Sequence, residues 1–121
     1  MPLTSASSLT SRLATVFEFL PALARRHLAS RVGSRGAVHI FASAVGVFTL
    51  VHQRREHGGA EVVESRIAQL RAQCSGGYQL FWKKGNGRWT AYSAPGCEPF
   101  VGSIDDCLAE IARDPFGCYW S

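Results

Sequence analysis

Tyr78-Gln79-Leu80-Phe81-Trp82-Lys83-Lys84-Gly85-Asn86-Gly87-Arg88-Trp89-Thr90-Ala91-Tyr92 reads as a β-hairpin. Asn86-Gly87 between aromatic and β-branched residues predicts a two-residue turn, because that turn needs positive φ at both positions and these two residues accept it. With Asn86 and Gly87 as the loop, Gly85 opposes Arg88, and the pairs run outward as Lys84–Trp89, Lys83–Thr90, Trp82–Ala91 and Phe81–Tyr92. Side chains alternate across a strand, so this register sorts two faces. Tyr78, Leu80, Trp82, Trp89 and Ala91 fall on an apolar face expected to lie against helices. Gln79, Phe81, Lys83, Arg88, Thr90 and Tyr92 fall on the other, an aromatic pair edged by cations.

Upstream, Val63, Ile67, Leu70 and Cys74 recur at helical spacing, with Glu61 and Glu64 near the positive end of the helix dipole and Gly76-Gly77 as a stop. This predicts a helix from Ala60 to Cys74. Downstream, Phe100-Val101 predicts a short strand that Pro99 limits to an edge or a strand start. Ser103 followed by Asp106 is a capping-box pattern opening a helix whose core stripe is Ile104, Cys107, Leu108 and Ile111, and Asp114-Pro115 should end it. The tail from Phe116 to Trp120 is too aromatic to stay in water and should pack on the domain. The order is α-β-β-β-α, a small α+β module over residues 58–121.

Residues 1–57 have a different composition. They hold seven arginines against Glu18 and Glu56, a balance of +5, whereas residues 61–121 come to −1 within a chain of net charge +4. Clustered arginine suits phosphate-rich partners such as nucleic acid or anionic lipid, or simply a solvated face. Leu9, Leu13, Val16, Phe17 and Leu20 share a helical stripe, and Pro21 should kink or end its first part. The Ser, Ala, Leu and Arg bias of residues 1–35 is also that of an organelle-targeting segment, while Glu18 and the lack of a preceding basic region argue against a secretory signal. His57-Gly58-Gly59 reads as a hinge between the halves.

Ala37 to Val51 is an apolar run broken only by His39, Ser43, Gly46 and Thr49. As a helix it would extend about 22 Å, short of the roughly 30 Å hydrocarbon core. Its length favours a buried helix or a strand pair; its purity favours a membrane anchor over residues 36–53. The charged fraction of 18%, below the roughly 25% usual for soluble domains, fits a surface partly covered by a partner or a membrane.

The sequence carries little catalytic chemistry. Cys74, Cys97, Cys107 and Cys118 include no C-x-x-C pair, so reduced structural thiols in a cytoplasmic protein are the leading reading, ahead of disulfides and of a metal site. Cys97, in a Pro-Gly turn, is the expected exposed thiol, and no His follows His57 to activate it. Asp105 and Asp106 point in different directions and are explained by capping. The expectation is therefore a non-enzymatic module with no cofactor and no metal.

Function is expected on the solvent face of the hairpin. Phe81 and Tyr92 offer stacking surface and Lys83 and Arg88 offer phosphate contacts, the combination used for single-stranded nucleic acid on a sheet. A protein partner is the other reading of these four residues, since aromatics with arginine also make interface hot spots. The competing expectation is that residues 37–51 cover this face, leaving Phe81 and Tyr92 in the core. A membrane-associated protein anchored by residues 36–53 is the alternative from a different class.

Trp89-Thr90-Ala91-Tyr92-Ser93-Ala94-Pro95-Gly96-Cys97 and Gly102-Ser103-Ile104-Asp105-Asp106-Cys107-Leu108-Ala109-Glu110-Ile111 locally resemble the strand, Pro-Gly-Cys turn and following helix of HicB-type antitoxins. The spacing from turn to glycine is one residue longer here, and no DNA-binding segment follows the helix. The resemblance implies a toxin-blocking module without autonomous DNA recognition by the usual tail.

Overall fold

The computed structural model describes residues 18–33, 36–56 and 61–120. The expected stripe from Leu9 to Phe17 lies outside them. Helix α1 occupies residues 18–32, Pro21 included. It is followed by strands β1 (Gly36–Ala44), β2 (Val47–Glu56), β3 (Glu61–Ala72), β4 (Tyr78–Lys83), β5 (Trp89–Ala91) and β6 (Val101–Gly102), then by helix α2 (Ile104–Arg113). The strands form one antiparallel sheet in the order β1-β2-β3-β4-β5, with β6 pairing β4 beyond the end of β5. The protein is α+β, as the hairpin and the capped final helix predicted.

The segment predicted as a helix from Ala60 to Cys74 is the long strand β3. Its register against β2 shifts between Leu50↔Ala68 and Val51↔Arg66, leaving Ile67 as an extra residue. A bulge of this kind breaks strict alternation. It turns what would be period-two burial into Val63, Ile67 and Leu70, a four-then-three spacing that imitates a helix. Gly76 and Gly77, expected as a helix stop, instead turn the chain from β3 into β4, both with positive φ.

Residues 36–53, the candidate membrane anchor, are β1 and most of β2, joined at Val45-Gly46. Among the described residues no helix is long and apolar enough to cross a membrane. Nor do residues 37–51 cover the hairpin; they widen its sheet. The hinge and boundary expected at His57-Gly58-Gly59 lie outside the described residues; β2 and β3, on either side of residues 57–60, pair in one sheet.

Both helices pack on one face. Leu20, Ala24 and Leu28, one turn apart along α1, are fully buried with Cys107, Leu108 and Ile111 of α2. Beneath them lie Phe48, Leu50, Ala68, Leu70 and Leu80 from the sheet. Leu70 sits opposite both Phe48 and Leu80, so one row of apolar pairs crosses three strands. The helices are also tied by polar contacts: Arg31 donates through Nε and Nη2 to the carbonyls of Ala112 (2.6 Å) and Arg113 (2.8 Å), and His27 meets Asp105 at 2.8 Å. A cation on the last carbonyls of α2 is favoured by the helix dipole.

The ends of α2 follow the sequence closely. Ser103 Oγ accepts from Asp106 N–H at 3.0 Å while Asp106 Oδ2 accepts from Ser103 N–H at 3.1 Å, the reciprocal capping box. A side chain on Gly102 would meet Asp106 Cβ at 2.9 Å, so only glycine lets β6 run this close to the helix start. At the other end Asp114 takes a left-handed conformation (φ 44°) and its carboxylate accepts from the N–H groups of Cys118, Tyr119 and Trp120 at 2.7–3.3 Å. That cap folds the aromatic tail inward: Tyr119 is buried, Trp120 donates to Ile111 O at 2.8 Å and its ring meets His52 edge-on.

Candidate binding face

The hairpin's register decides what the helix-free face displays. β4 and β5 pair as Lys83↔Trp89, Trp82↔Thr90 and Phe81↔Ala91, one residue away from the expected alignment. The loop holds three residues rather than two: Lys84 and Arg88 pair through the backbone at 3.0 Å, and Gly87 alone takes positive φ (81°). Asn86 keeps negative φ and uses its Oδ1 to accept from Arg88 N–H at 3.0 Å, a local turn that draws Arg88 into the closing pair. Slipping a strand by one residue exchanges its faces.

The four predicted site residues are therefore separated. Phe81 and Lys83 lie on the helix-free face, as expected. Tyr92 lies under the helices, 2% exposed, with its hydroxyl on Glu110 and its ring beside Phe100 and Tyr119. Burial, reinforced by the Glu110 hydrogen bond, pushes its phenol pKa well up. Arg88 is exposed in the pair that closes the hairpin loop. Trp89, assigned by sequence to the core, takes the place beside Phe81 and Lys83.

Strands β1 to β3 add residues that sequence reasoning did not place here. Phe41, Thr49, Val51, Glu64, Arg66 and Gln69 join Trp89 around a groove of about 580 Å³ running across the sheet. Its floor is a polar relay. Ser43 and Thr49 share a hydroxyl hydrogen bond of 2.7 Å, Gln69 donates to Thr49 Oγ1 at 3.0 Å, and Arg71 Nε donates to Gln69 Oε1 at 2.7 Å. Beside it, the Arg71 guanidinium lies 3.8 Å from the Phe81 ring centroid, and the Lys83 ammonium lies 5.8 Å from that of Trp89. Each cation is held against an aromatic ring, which fixes the two kinds of group as a unit. Arg66 and Arg71 were legible as basic residues, but the Ile67 bulge that brings both onto one face has no local sequence signature.

The face offers stacking rings, fixed cations and amide or hydroxyl groups. Among the described residues no three His, Cys, Asp or Glu side chains come together as a metal site. Cys74 and Cys97 are exposed, whereas Cys107 is buried and Cys118 is half-buried; the four are unpaired. Cys74, expected on a core stripe, is thus outside the core, because β3 ends before it.

Among the described residues, a six-stranded antiparallel sheet, with two helices on one face and on the other a groove of aromatic, polar and oppositely charged side chains (Glu64 and Arg66), defines a small α+β protein. Residues 12–121 match the family described as "Domain of unknown function (DUF3024)", and the chain belongs to that family. Comparison with curated proteins and with solved structures gave no match.

Proposed function

We propose that this protein is a non-catalytic binding module that takes single-stranded nucleic acid on the helix-free face of its sheet. The observation that carries the reading is the pairing of Arg71 with Phe81 and of Lys83 with Trp89 beside one groove. Bases stack on aromatic rings irrespective of sequence, and neighbouring cations meet the phosphates between them. Arg66 supplies a third cation, and the chain's net charge of +4 favours encounter with a polyanion. Relative to the sequence-based constellation, Trp89 replaces Tyr92 as the second stacking residue, while Arg88 contributes from the closing pair of the hairpin.

Fluorescence anisotropy with a labelled single-stranded oligonucleotide tests this. Binding should weaken as salt rises, with a logarithmic slope of about −2 if three cations meet phosphates. The double variant Phe81→Ala, Trp89→Ala should bind at least tenfold more weakly, since each stacked base contributes roughly 1–3 kcal/mol. No binding at low salt, or binding unchanged in the double variant, overturns the proposal. If full-length protein instead retains a protein partner, lost in the same variant, the face serves protein recognition. Anchoring through residues 36–53 has less support, because that segment is spent on strand pairing.

A further inference from the structure

We infer that the protein pairs with a second copy of itself through β1, joining two sheets edge to edge. Among the described residues β1 ends the sheet, so half of its backbone N–H and C=O groups point away from β2 without a strand to receive them. Edge strands are ordinarily protected by charge, proline, shortness, a bulge or cover. The bulge of β1, between Ala42 and Ala44, lies at its far end and leaves Gly36 to Ala42 in regular register with β2. β1 is nine residues long and contains no Asp, Glu, Lys, Arg or Pro. The opposite edge is guarded: β5 and β6 have three and two residues, the intervening loop carries Pro95 and Pro99, and Lys84 and Arg88 flank the hairpin turn.

Three features indicate a second copy as the occupant. An uncharged strand meets itself with no like-charge pair, so β1 is self-complementary in the sense a two-fold interface requires. The apolar side chains of this edge are left in water, with Phe41 55% and Val45 83% exposed, beside exposed Ala42 and Ala44. A further groove of about 310 Å³, lined by α1 and β1 alone (Ala24, Arg25, Ala29, Val32, Val38 and their neighbours), is mostly apolar and lies along the same edge.

Antiparallel self-pairing fixes the geometry. The two-fold axis must stand perpendicular to the sheet, so both helix layers share one side and both binding grooves share the other. The two α1 helices then flank the seam, and their α1–β1 grooves close against each other. Neither step depends on what the helix-free face binds.

Sedimentation velocity and light scattering on the full chain should show a species of twice the 13.2 kDa chain mass, its fraction rising with concentration. The double variant Ala37→Lys, His39→Lys places four ammonium groups at the seam and should be monomeric. Both positions are exposed, so its circular dichroism should match the parent. His39 shares the helix-free face with Phe41 and meets Gln53, which donates to Glu64 of the larger groove, so oligomeric state is the readout. A parent that stays monomeric across a hundredfold range of concentration overturns the inference. So does a monomer that dimerises only when residues 1–17 are removed, which would assign the edge to that segment. A dimer that persists in the lysine variant, correctly folded, overturns it as well.

Discussion

Tyr92 Oη donates a 2.6 Å hydrogen bond to Glu110 Oε2, joining the exit of β5 to the middle of α2. The bond exists because the hairpin closes on three loop residues, which turns Tyr92 inward. Glu110 is itself largely buried and keeps a 3.5 Å contact with Arg113. Tyr92→Phe removes a charge-assisted hydrogen bond and leaves that carboxylate short of a donor. The expected loss is about 1.5–3 kcal/mol, read as a lower urea midpoint at unchanged slope.

The same phenol makes stability fall at high pH. Its folded pKa lies above the unfolded value of 10.0, chiefly through burial and then through Glu110. A raised pKa means that folding disfavours the charged form, so stability is complete below the unfolded value and declines as pH climbs past it. Tyr119, whose hydroxyl is buried without a hydrogen-bond partner among the described residues, acts in the same direction. Absorbance titration should show all three tyrosines ionising above the ordinary range until the protein unfolds.

His52 gives the acid-side counterpart. Its pKa is lowered from 6.5, first by burial and then by Arg54, and its Nε2 is buried without a hydrogen-bond partner among the described residues. A lowered His pKa leaves stability intact above the unfolded value and erodes it as pH falls below 6.5, because the unfolded chain then binds the proton more readily. His52→Phe should reduce the loss of stability between neutral pH and about pH 5, measured by urea unfolding at each pH.

Asp114 caps α2 and holds the tail at once. Asp114→Ala forfeits the carboxylate's bonds to three backbone N–H groups and puts alanine in a left-handed conformation, at a combined cost of about 3 kcal/mol or more. Asp114→Asn keeps one acceptor and tolerates that conformation, so it should cost less. Thermal unfolding ranks the two, and Trp120 fluorescence reports whether the tail has detached.

The four thiols should divide by exposure. Cys74 and Cys97 are exposed and should react promptly with a thiol reagent near pH 8, with Cys118 slower. Cys107 is fully buried, with its pKa pushed up to about 12 by desolvation and then by Asp106. It should react only on unfolding. A count of two fast thiols checks the assignment.

Local chemistry made the C-terminal elements legible. Ser103 and Asp106 announce a helix start through bonds that span three residues, and Asp114-Pro115 ends it by backbone geometry alone. The aromatic run from Tyr78 to Trp82 likewise specified a strand. Of the candidate site, Phe81 and Lys83 were placed on the right face because β4 is regular. Trp89 and Tyr92 were exchanged because the hairpin's register hangs on one loop residue, and both the two-residue and three-residue closures satisfy Asn86-Gly87.

Sequence by itself determined the basic composition, the capped final helix, the existence of the hairpin and the α+β class, all consequences of interactions a few residues long. Tertiary structure alone decided that residues 61–72 are a strand and that residues 36–53 widen the same sheet. It also decided that Arg66, Arg71, Phe41 and Trp89 share a face. Those outcomes depend on pairing across strands and on one bulged residue, Ile67. Its burial is set by neighbours distant in the chain, and its spacing from Val63 and Leu70 is the same four-then-three interval that a helix would produce.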